Sequence, residues 1–164
     1  MNDNRSILTW ETIDDACAKL ASSIDVSITH VVGIARGGLI PATLIAKHLN
    51  VREVMSLGLK SYSDGDDYET REPVPEVYQH INKCFQLVRG TSKVLIVDDI
   101  TDKGNTFNFI DNYLRDMSRA INFYTAALFY KESSTYTPTY THTEVPDDEW
   151  LVFPWEESDI YSCC

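Results

Sequence analysis

One short segment, residues 93–97, constrains the fold of this chain more than any other. Its sequence, KVLIV, is a continuous apolar run behind a single lysine. Continuous runs of this kind are typical of strands that are buried on both faces, as in parallel sheets. The run ends in Asp98 and Asp99, and a polar stretch with the sequence ITDKGNT follows. The sequence therefore predicts a buried parallel strand whose carboxyl end carries polar chemistry.

Predicted strands and helices alternate along the rest of the chain. Thr9 is a suitable N-cap for a helix that runs through Ala21. The later elements are predicted, in chain order, as a strand at 30–35, a helix with Pro41 in its first turn, a strand at 51–59, a helix from Thr106 and a strand at 121–130. This alternation predicts a single α/β domain over residues 1–164, with a mainly parallel sheet and helices on both faces.

Two stretches fall outside this alternation. Residues 60–75 are polar, rich in acidic side chains and bounded by Pro73 and Pro75, which predicts a flexible loop. The segment from Ser133 is rich in Thr, Tyr and Pro and leads to Trp150. It is predicted to form a small irregular lobe with a short strand.

The charge balance argues against one broad class of function. The chain has 14 Lys and Arg against 25 Asp and Glu, a formal net charge of −11, so a nucleic-acid backbone would be repelled.

No apolar stretch reaches membrane-spanning length, and the N-terminal residues do not resemble a signal peptide. The four cysteines show neither CxxC spacing nor the density of a disulfide scaffold. We therefore expect a cytoplasmic protein that binds neither nucleic acid nor membranes.

The polar stretch after residue 97 has the composition of a phosphate-binding loop. Ligands of open α/β sheets bind outside the carboxyl ends of the strands. Gly104 permits a tight turn, and the amides at the start of the next helix favour an anion, with the Thr106 hydroxyl as a further donor. Asp98 and Asp99 would repel that anion unless a divalent metal ion lay between them. The spacing matches neither a P-loop nor a dinucleotide-binding loop, so a phosphate and metal site of another kind is predicted.

Residues 94–106 resemble the phosphoribosyl-pyrophosphate motif of the type I phosphoribosyltransferases. Four apolar residues, two acids and two spacers are followed by Asp, any residue, Gly, any residue and Thr. Residues 33–38 resemble that family's pyrophosphate loop, and residues 60–62 resemble the start of its hood loop. Further segments are similar to bacterial xanthine-guanine and related hypoxanthine phosphoribosyltransferases, namely residues 7–10, 129–131 and 145–150. The resemblance covers nearly the whole chain and implies the type I phosphoribosyltransferase fold with a small C-terminal and hood lobe.

The resemblance also implies a role for each matching position. The enzyme would join a 6-oxopurine (guanine, hypoxanthine or xanthine) to the ribose 5-phosphate of phosphoribosyl pyrophosphate with Mg2+, as in purine salvage, and Asp102 would be the catalytic residue that manages the purine N7 proton. The substrate-binding residues would be Lys103, Gly104, Asn105 and Thr106 for the 5-phosphate, Asp98 and Asp99 for ribose and metal, Arg36 and Gly37 for pyrophosphate, and Lys131, Trp150 and Leu151 for the purine. Ser61 and Tyr62 would begin a lid at about 60–75, and the purine-binding lobe would cover about 131–155.

Two positions depart from the family's pattern. Lys103 stands where Thr is more frequent, and Asn105 stands where Gly or Lys is frequent. A lysine adds a point charge for phosphate but changes the local chemistry of the loop. Residues 64–67, DGDD, are unusually acidic for a lid over pyrophosphate.

The resemblance further implies that the chain assembles as a homodimer or homotetramer.

Two other functions share parts of this pattern. A ligand sensor could keep the fold and the sugar-diphosphate site while regulating transcription or another protein, although the joint presence of Asp102, Lys131 and Trp150 favours the enzyme. A phosphoacceptor receiver domain also uses acids at strand ends, but its acids come from separate strands, whereas here they lie in one loop. Trp155 is interpreted as structural, and the four histidines have no metal-ligand spacing.

Overall fold

The computed structural model describes residues 4–62, 74–79, 92–117 and 122–156. Strands and helices alternate along these segments. The helices are α1 (Trp10–Ser23), α2 (Leu39–His48) and α3 (Asn105–Met117). The strands are β1 (Arg5–Ile7), β2 (His30–Ala35), β3 (Glu53–Tyr62), β4 (Val74–Gln79), β5 (Lys93–Thr101), β6 (Asn122–Lys131), β7 (Tyr140–Val145) and β8 (Trp150–Val152).

The main sheet of the described segments has six strands in the order β4-β3-β2-β5-β6-β7. Neighbouring strands run parallel, except that β4 pairs antiparallel with β3 at one edge. The apolar segment that dominates the sequence lies in β5, where Val94 is opposite His30 on one side and Phe123 on the other. The predicted α/β class with a mainly parallel sheet is therefore confirmed.

Helices cover both faces of this sheet because the side chains along each strand alternate between the faces. On one face, Leu95 and Val97 of β5 belong to a buried cluster that includes residues of α1 and α2. On the other face, Val94 and Ile96 pack in a second cluster with Phe107 of α3. Each fully buried aliphatic side chain contributes about 1.5–3 kcal/mol. Packing on both faces thus holds β5 in the interior of the sheet. It thereby also fixes the point at which the following loop begins.

Local signals in the sequence place the ends of the first two helices. The backbone N–H of Thr12 donates to the Thr9 hydroxyl oxygen at 3.1 Å, so α1 begins at the predicted cap. Pro41 lies in the first turn of α2, where a missing N–H leaves no helical hydrogen bond unmade. Asn50 follows α2 with a φ of 56°, a left-handed conformation that Asn adopts more readily than most residues.

Both ends of the predicted loop at 60–75 are strand in the structure. β3 continues to Tyr62 and β4 begins at Val74, with Ser61 opposite Pro75 in an antiparallel pair. Because β4 is an edge strand, the absence of an N–H on Pro75 is tolerated there. Residues 63–73 lie outside the described residues, so the lid stays a prediction.

The segment after Ser133 is more regular than the sequence analysis predicts. β7 extends the main sheet in parallel beside β6, and β8 pairs in parallel with β1, so that Arg5 lies opposite Trp150. Thr and Tyr, which dominate β7, favour strands when they lie on a half-buried surface, whereas the irregular prediction followed the nearby prolines. None of the helices in the described segments is both long and apolar enough to cross a bilayer.

Candidate active site

The candidate site lies where three parallel strands end at one edge of the sheet. β2 ends at Ala35 and the chain turns through residues 36–38 into α2, β5 ends at Thr101, and β6 ends at Lys131. Because β5 lies between β2 and β6, the loops that follow these strands are neighbours. The fold thus brings the predicted pyrophosphate, phosphate and purine segments to the same edge.

The loop between β5 and α3 encloses a hollow of about 180 Å³ lined by residues 100–107. Gly104 has a φ of 85°, where any side chain would be strained, and a Cβ at this position would lie 2.7 Å from the backbone N of Tyr136. The Asn108 N–H donates to the Gly104 carbonyl at 3.0 Å, which begins the hydrogen bonding of α3. Backbone amides at the start of a helix can donate to an anion in such a hollow.

All five predicted residues from position 102 to position 106 line this hollow. Asp102 and Lys103 are exposed, whereas Asn105 and Thr106 are half-buried in the first turn of α3. The two residues that depart from the family's pattern, Lys103 and Asn105, thus both line the hollow at the edge of the sheet. Their contacts with a phosphate stay a prediction.

Asp98 and Asp99 lie side by side near the carboxyl end of β5 and are half-buried. The Asp99 N–H donates to Asp98 Oδ1 at 3.0 Å, and the Ile100 N–H donates to Asp99 Oδ1 at 2.8 Å. Burial, together with the negative charge of Asp99, raises the pKa of Asp98 well above its ordinary value. Burial raises the pKa of Asp99 to about 6. Removal from water thus opposes ionisation of both carboxyl groups, and a nearby cation would favour it.

The pair of carboxylates fits a Mg2+ ion by its chemistry. Hard oxygen ligands are those that Mg2+ prefers, and it commonly takes one or two of them from the protein and the rest from substrate phosphates and water. Within the described residues no group of three or more potential metal-ligating side chains forms. Asp98 and Asp99 would then be the protein ligands, or would hold the water molecules of the ion.

The metal-free protein is expected to lose stability as the pH rises. An unfolded Asp titrates near about 3.9, and the Asp99 pKa in the folded chain is about 6. The folded state holds the extra proton, so this contribution to the free energy of unfolding is complete below about pH 4 and is lost as the pH rises through about 6. In EDTA, Asp99→Asn is therefore expected to raise Tm by roughly 2–5 °C at about pH 7.5 and to change it little at about pH 4.

Differential scanning calorimetry at the two pH values measures this effect. Glu53→Gln is the matched control, because Glu53 is exposed and lies at the end of β3 that is away from the candidate site. It should leave Tm unchanged at both pH values. A lower Tm for Asp99→Asn at the higher pH would contradict the assignment of an unfavourable buried charge.

The turn after β2 packs directly against Asp99. A Cβ on Gly37 would lie 1.9 Å from Asp99 Oδ2, so only glycine permits this approach. Arg36 and Gly37 line a hollow of about 370 Å³ together with Asp99. The Ala35–Arg36 peptide bond in this turn is cis. The structure therefore places the predicted pyrophosphate residues beside one of the predicted metal ligands.

Three further residues line the same hollow and were not predicted to belong to a site, namely Ile40, Trp155 and Glu156. Trp155 stacks on Phe153 with ring centroids 4.8 Å apart, which is the structural role expected for it, but it also forms part of the hollow wall. The Glu156 side chain lines the hollow as well and accepts a hydrogen bond from the Phe153 N–H at 3.3 Å. No motif in the sequence links these C-terminal residues to Arg36.

Lys131 lies at the end of β6 with only 7% of its surface exposed. Its Nζ donates to the Pro146 carbonyl at 2.7 Å and also to the Glu149 carbonyl. An ammonium group has three N–H donors, so a ligand could accept the third. The predicted purine donor thus also holds the turn before β8, a contact that no motif in the sequence indicates.

The other predicted purine residues lie on β8. Trp150 is 68% exposed, its backbone N–H donates to the Asn4 carbonyl at 2.8 Å, and its ring is available for stacking on a ligand. Leu151 is buried against the core. The backbone of Ser61 and Tyr62 belongs to β3, while their side chains lie outside what the structure describes, so a lid role for them stays a prediction.

Comparison with known proteins agrees with this arrangement. The chain matches the phosphoribosyl transferase domain family over residues 3–161. It is 32% identical over 126 residues to a xanthine-guanine phosphoribosyltransferase from Cereibacter sphaeroides, covering 77% of this chain and 68% of that protein. Its fold is similar to a purine phosphoribosyltransferase from Pyrococcus horikoshii, with a TM-score of 0.72, 26% identity and 93% of each chain covered.

A second solved structure is similar in fold. It is a hypothetical protein from Neisseria gonorrhoeae with bound ppGpp, with a TM-score of 0.82, 22% identity and coverage of 99% of this chain and 94% of that one. The family match extends over nearly the whole length, and the mainly parallel sheet and the strand-end loops that the resemblance implies are both present in the structure. This chain is accordingly a member of the phosphoribosyltransferase family.

Proposed function

We propose that this protein transfers the 5-phosphoribosyl group of phosphoribosyl pyrophosphate to a 6-oxopurine, giving the nucleoside monophosphate and pyrophosphate. The observation that supports this reading beyond family membership is the buried ammonium group of Lys131, one strand away from the predicted phosphate loop. A lysine buried in this way favours a ligand with a hydrogen-bond acceptor over one with a donor. The oxo group at position 6 of guanine, hypoxanthine and xanthine is such an acceptor.

In the proposed reaction a ring nitrogen of the purine forms a bond to the anomeric carbon while the bond from that carbon to pyrophosphate breaks. Asp102 accepts the proton that the purine loses. Arg36 neutralises negative charge on the departing pyrophosphate, and the amides of residues 103–106 hold the 5-phosphate. Mg2+, when bound near Asp98 and Asp99, would supply further charge neutralisation. A cationic sugar carbon must also be shielded from water, which is the role proposed for the lid.

Lys131 is expected to set the choice between oxo and amino purines. An adenine amino group would face the Lys131 donor with another donor and leave the ammonium group unpaired. Stacking on Trp150 adds affinity for any purine, because it does not depend on the ring substituents. Main-chain carbonyls near Leu151 are proposed to contact position 2 of the base and to decide among the three 6-oxopurines.

Lys131→Ala is expected to lower kcat/KM for hypoxanthine and guanine by about 10- to 100-fold, since a charge-assisted hydrogen bond contributes about 1.5–3 kcal/mol. The low rate with adenine should fall less, because only the contact to the turn before β8 is lost for that base, so the ratio of oxo to amino purine should fall. Steady-state kinetics with each base measures this ratio. Lys131→Arg is the matched variant, because it keeps the charge and donors that hold the Pro146 and Glu149 carbonyls. An unchanged ratio in Lys131→Ala would remove Lys131 from the purine site.

The direct test of the proposed function is incubation with phosphoribosyl pyrophosphate, Mg2+ and each purine base, with chromatography of the products. Nucleoside monophosphate is expected from at least one 6-oxopurine and in much smaller amount from adenine. No nucleotide from guanine, hypoxanthine or xanthine would contradict the proposal. Binding of the sugar diphosphate without turnover would instead favour the ligand-sensor function.

The remaining parts of the proposal concern the state of the protein. We propose a homodimer or homotetramer in the cytoplasm, using Mg2+ and binding neither nucleic acid nor membranes. Size-exclusion chromatography with light scattering measures the assembly state, and a monomer at micromolar concentration would contradict that part. Omission of Mg2+ from the incubation tests the requirement for the metal.

A further inference from the structure

The carbonyl group of Lys103 is held by a residue that lies far from it in sequence. The Thr135 N–H donates to the Lys103 oxygen at 3.2 Å, and the Thr135 hydroxyl donates to the same oxygen at 2.7 Å. Thr135 lies in the connection between β6 and β7 and does not belong to the phosphate motif. One residue of this connection therefore makes two hydrogen bonds to the backbone at the centre of the phosphate loop.

These hydrogen bonds to the Lys103 carbonyl also determine the direction of the Gly104 N–H. The Lys103–Gly104 peptide bond is trans, and in a trans peptide the C=O and N–H groups point in opposite directions. With the Lys103 oxygen turned toward Thr135, the Gly104 N–H is directed away from Thr135. If this peptide were flipped, a carbonyl oxygen would replace the N–H on that side, and an oxygen would repel a phosphate.

The surrounding contacts hold Thr135 in place. Asn108 Nδ2 of α3 donates to the Thr135 hydroxyl oxygen at 3.0 Å, so the hydroxyl is used as donor and as acceptor. The next residue, Tyr136, stacks on Phe107 with ring centroids 5.3 Å apart. Phe107 is completely buried in the core. The connection is thus anchored to the same helix whose N-terminus forms the phosphate loop.

The same connection also contacts the predicted purine side of the site. The Ser134 N–H donates to the Lys131 carbonyl at 3.1 Å, and Ser133 donates to Asp147 Oδ1 through its N–H at 3.1 Å and its hydroxyl at 2.8 Å. Residues 133–135 therefore contact both the phosphate loop and the segment that carries the purine residues.

We propose that Thr135 is a positioning residue for sugar-phosphate binding: it fixes the Lys103–Gly104 peptide so that the Gly104 N–H faces the 5-phosphate. The inference rests on the proposed function, since it assumes that the hollow lined by residues 100–107 holds that phosphate. Thr135 itself does not touch the substrate. Its effect is on the orientation of one peptide group, so its loss should weaken phosphate binding far more than it slows the chemical step.

Thr135→Val tests the inference because valine keeps the β-branched shape and the backbone N–H but lacks the hydroxyl. The substitution removes the hydroxyl's bond to the Lys103 carbonyl and the bond that it accepts from Asn108 Nδ2. We expect KM for phosphoribosyl pyrophosphate to rise about five- to tenfold, as for the loss of the one hydrogen bond that orients the Lys103 carbonyl, with kcat within about twofold of the wild type. Product inhibition by pyrophosphate, which binds elsewhere, should be unchanged. Thr135→Ser restores the hydroxyl and should restore KM. Thr137→Val, at an exposed position two residues further on, is the matched control and should resemble the wild type.

An unchanged KM in Thr135→Val, in an active enzyme, would overturn the inference. So would failure of Thr135→Ser to restore KM, or an equal loss of kcat and pyrophosphate affinity, which would indicate general damage to the structure. If the wild type makes no nucleotide, the proposed function fails separately. Calorimetric titration with ribose 5-phosphate then still tests the inference, which requires weaker binding by Thr135→Val than by Thr135→Ser and is overturned by equal binding or by none.

Discussion

Replacing Asp102 with asparagine is expected to lower kcat by about 10²- to 10³-fold, in the lower part of the range for loss of a general acid or base. Asparagine keeps the size and the polar character of the side chain but cannot accept the purine proton. Asp102 is exposed and lies at the start of the residues 102–106 that line the phosphate hollow, so its carboxylate can reach a base bound above the loop. The affinity for phosphoribosyl pyrophosphate should change little, because Asp102 is assigned to the purine and not to the phosphate.

Single-turnover kinetics and direct titration with phosphoribosyl pyrophosphate separate these two effects. Asp15→Asn is the matched control, since Asp15 is exposed on α1 and pairs with Lys19 of the same helix at 2.5 Å. It should leave both quantities unchanged. Equal losses of kcat and of sugar-diphosphate affinity in Asp102→Asn would contradict the assigned role and would place Asp102 among the phosphate or metal ligands instead.

The second large effect is expected at Gly104. An alanine there would take a φ of 85° and bring its Cβ to 2.7 Å from the Tyr136 backbone N. The loop must then move or change conformation, and either response displaces the amides that would hold the phosphate. Strain of this kind costs about 1–3 kcal/mol for the backbone alone. We expect kcat/KM for phosphoribosyl pyrophosphate to fall roughly 100-fold, with a small decrease in Tm.

Asn50→Ala is a suitable control for the backbone strain. Asn50 also has a positive φ, 56°, but follows α2 at the end away from the candidate site. The substitution should lower Tm without changing kcat/KM. Steady-state kinetics and thermal unfolding of both variants give the comparison. A Gly104→Ala enzyme with normal kinetics would show that this loop does not bind the phosphate.

The sequence was most informative where one strong pattern had one structural solution. The continuous apolar run at 93–97 can be buried on both faces only at the interior of a sheet, and β5 lies there. The cap at Thr9 likewise had a single interpretation. The strand β4 and the regular course of β7 were missed because β4 contains Pro75, while β7 is mostly polar and is flanked by Pro138 and Pro146. Pairing with a neighbouring strand, which no local pattern encodes, decides the structure of both.

Some residues of the candidate site could be predicted from the sequence and others could not. Asp98, Asp99 and Gly104 lie within one motif, and the structure places them at one strand end. Trp155 and Thr135 lie more than 30 residues along the chain from Gly104, and only the fold brings them to this edge of the sheet. Long-range contacts of this kind leave no periodic signal in a single sequence. The double contact of Lys131 with the turn before β8 belongs to the same class.

The proposed function requires that the amides of residues 103–106 bind the phosphate of a sugar phosphate. Amide-resolved NMR during a titration of the full-length protein with ribose 5-phosphate measures this binding most directly. We expect the largest, saturable shift changes at the backbone amides of Lys103, Gly104, Asn105 and Thr106, with a common dissociation constant. Shift changes that avoid these four amides, or that do not saturate, would show that this loop does not bind the phosphate.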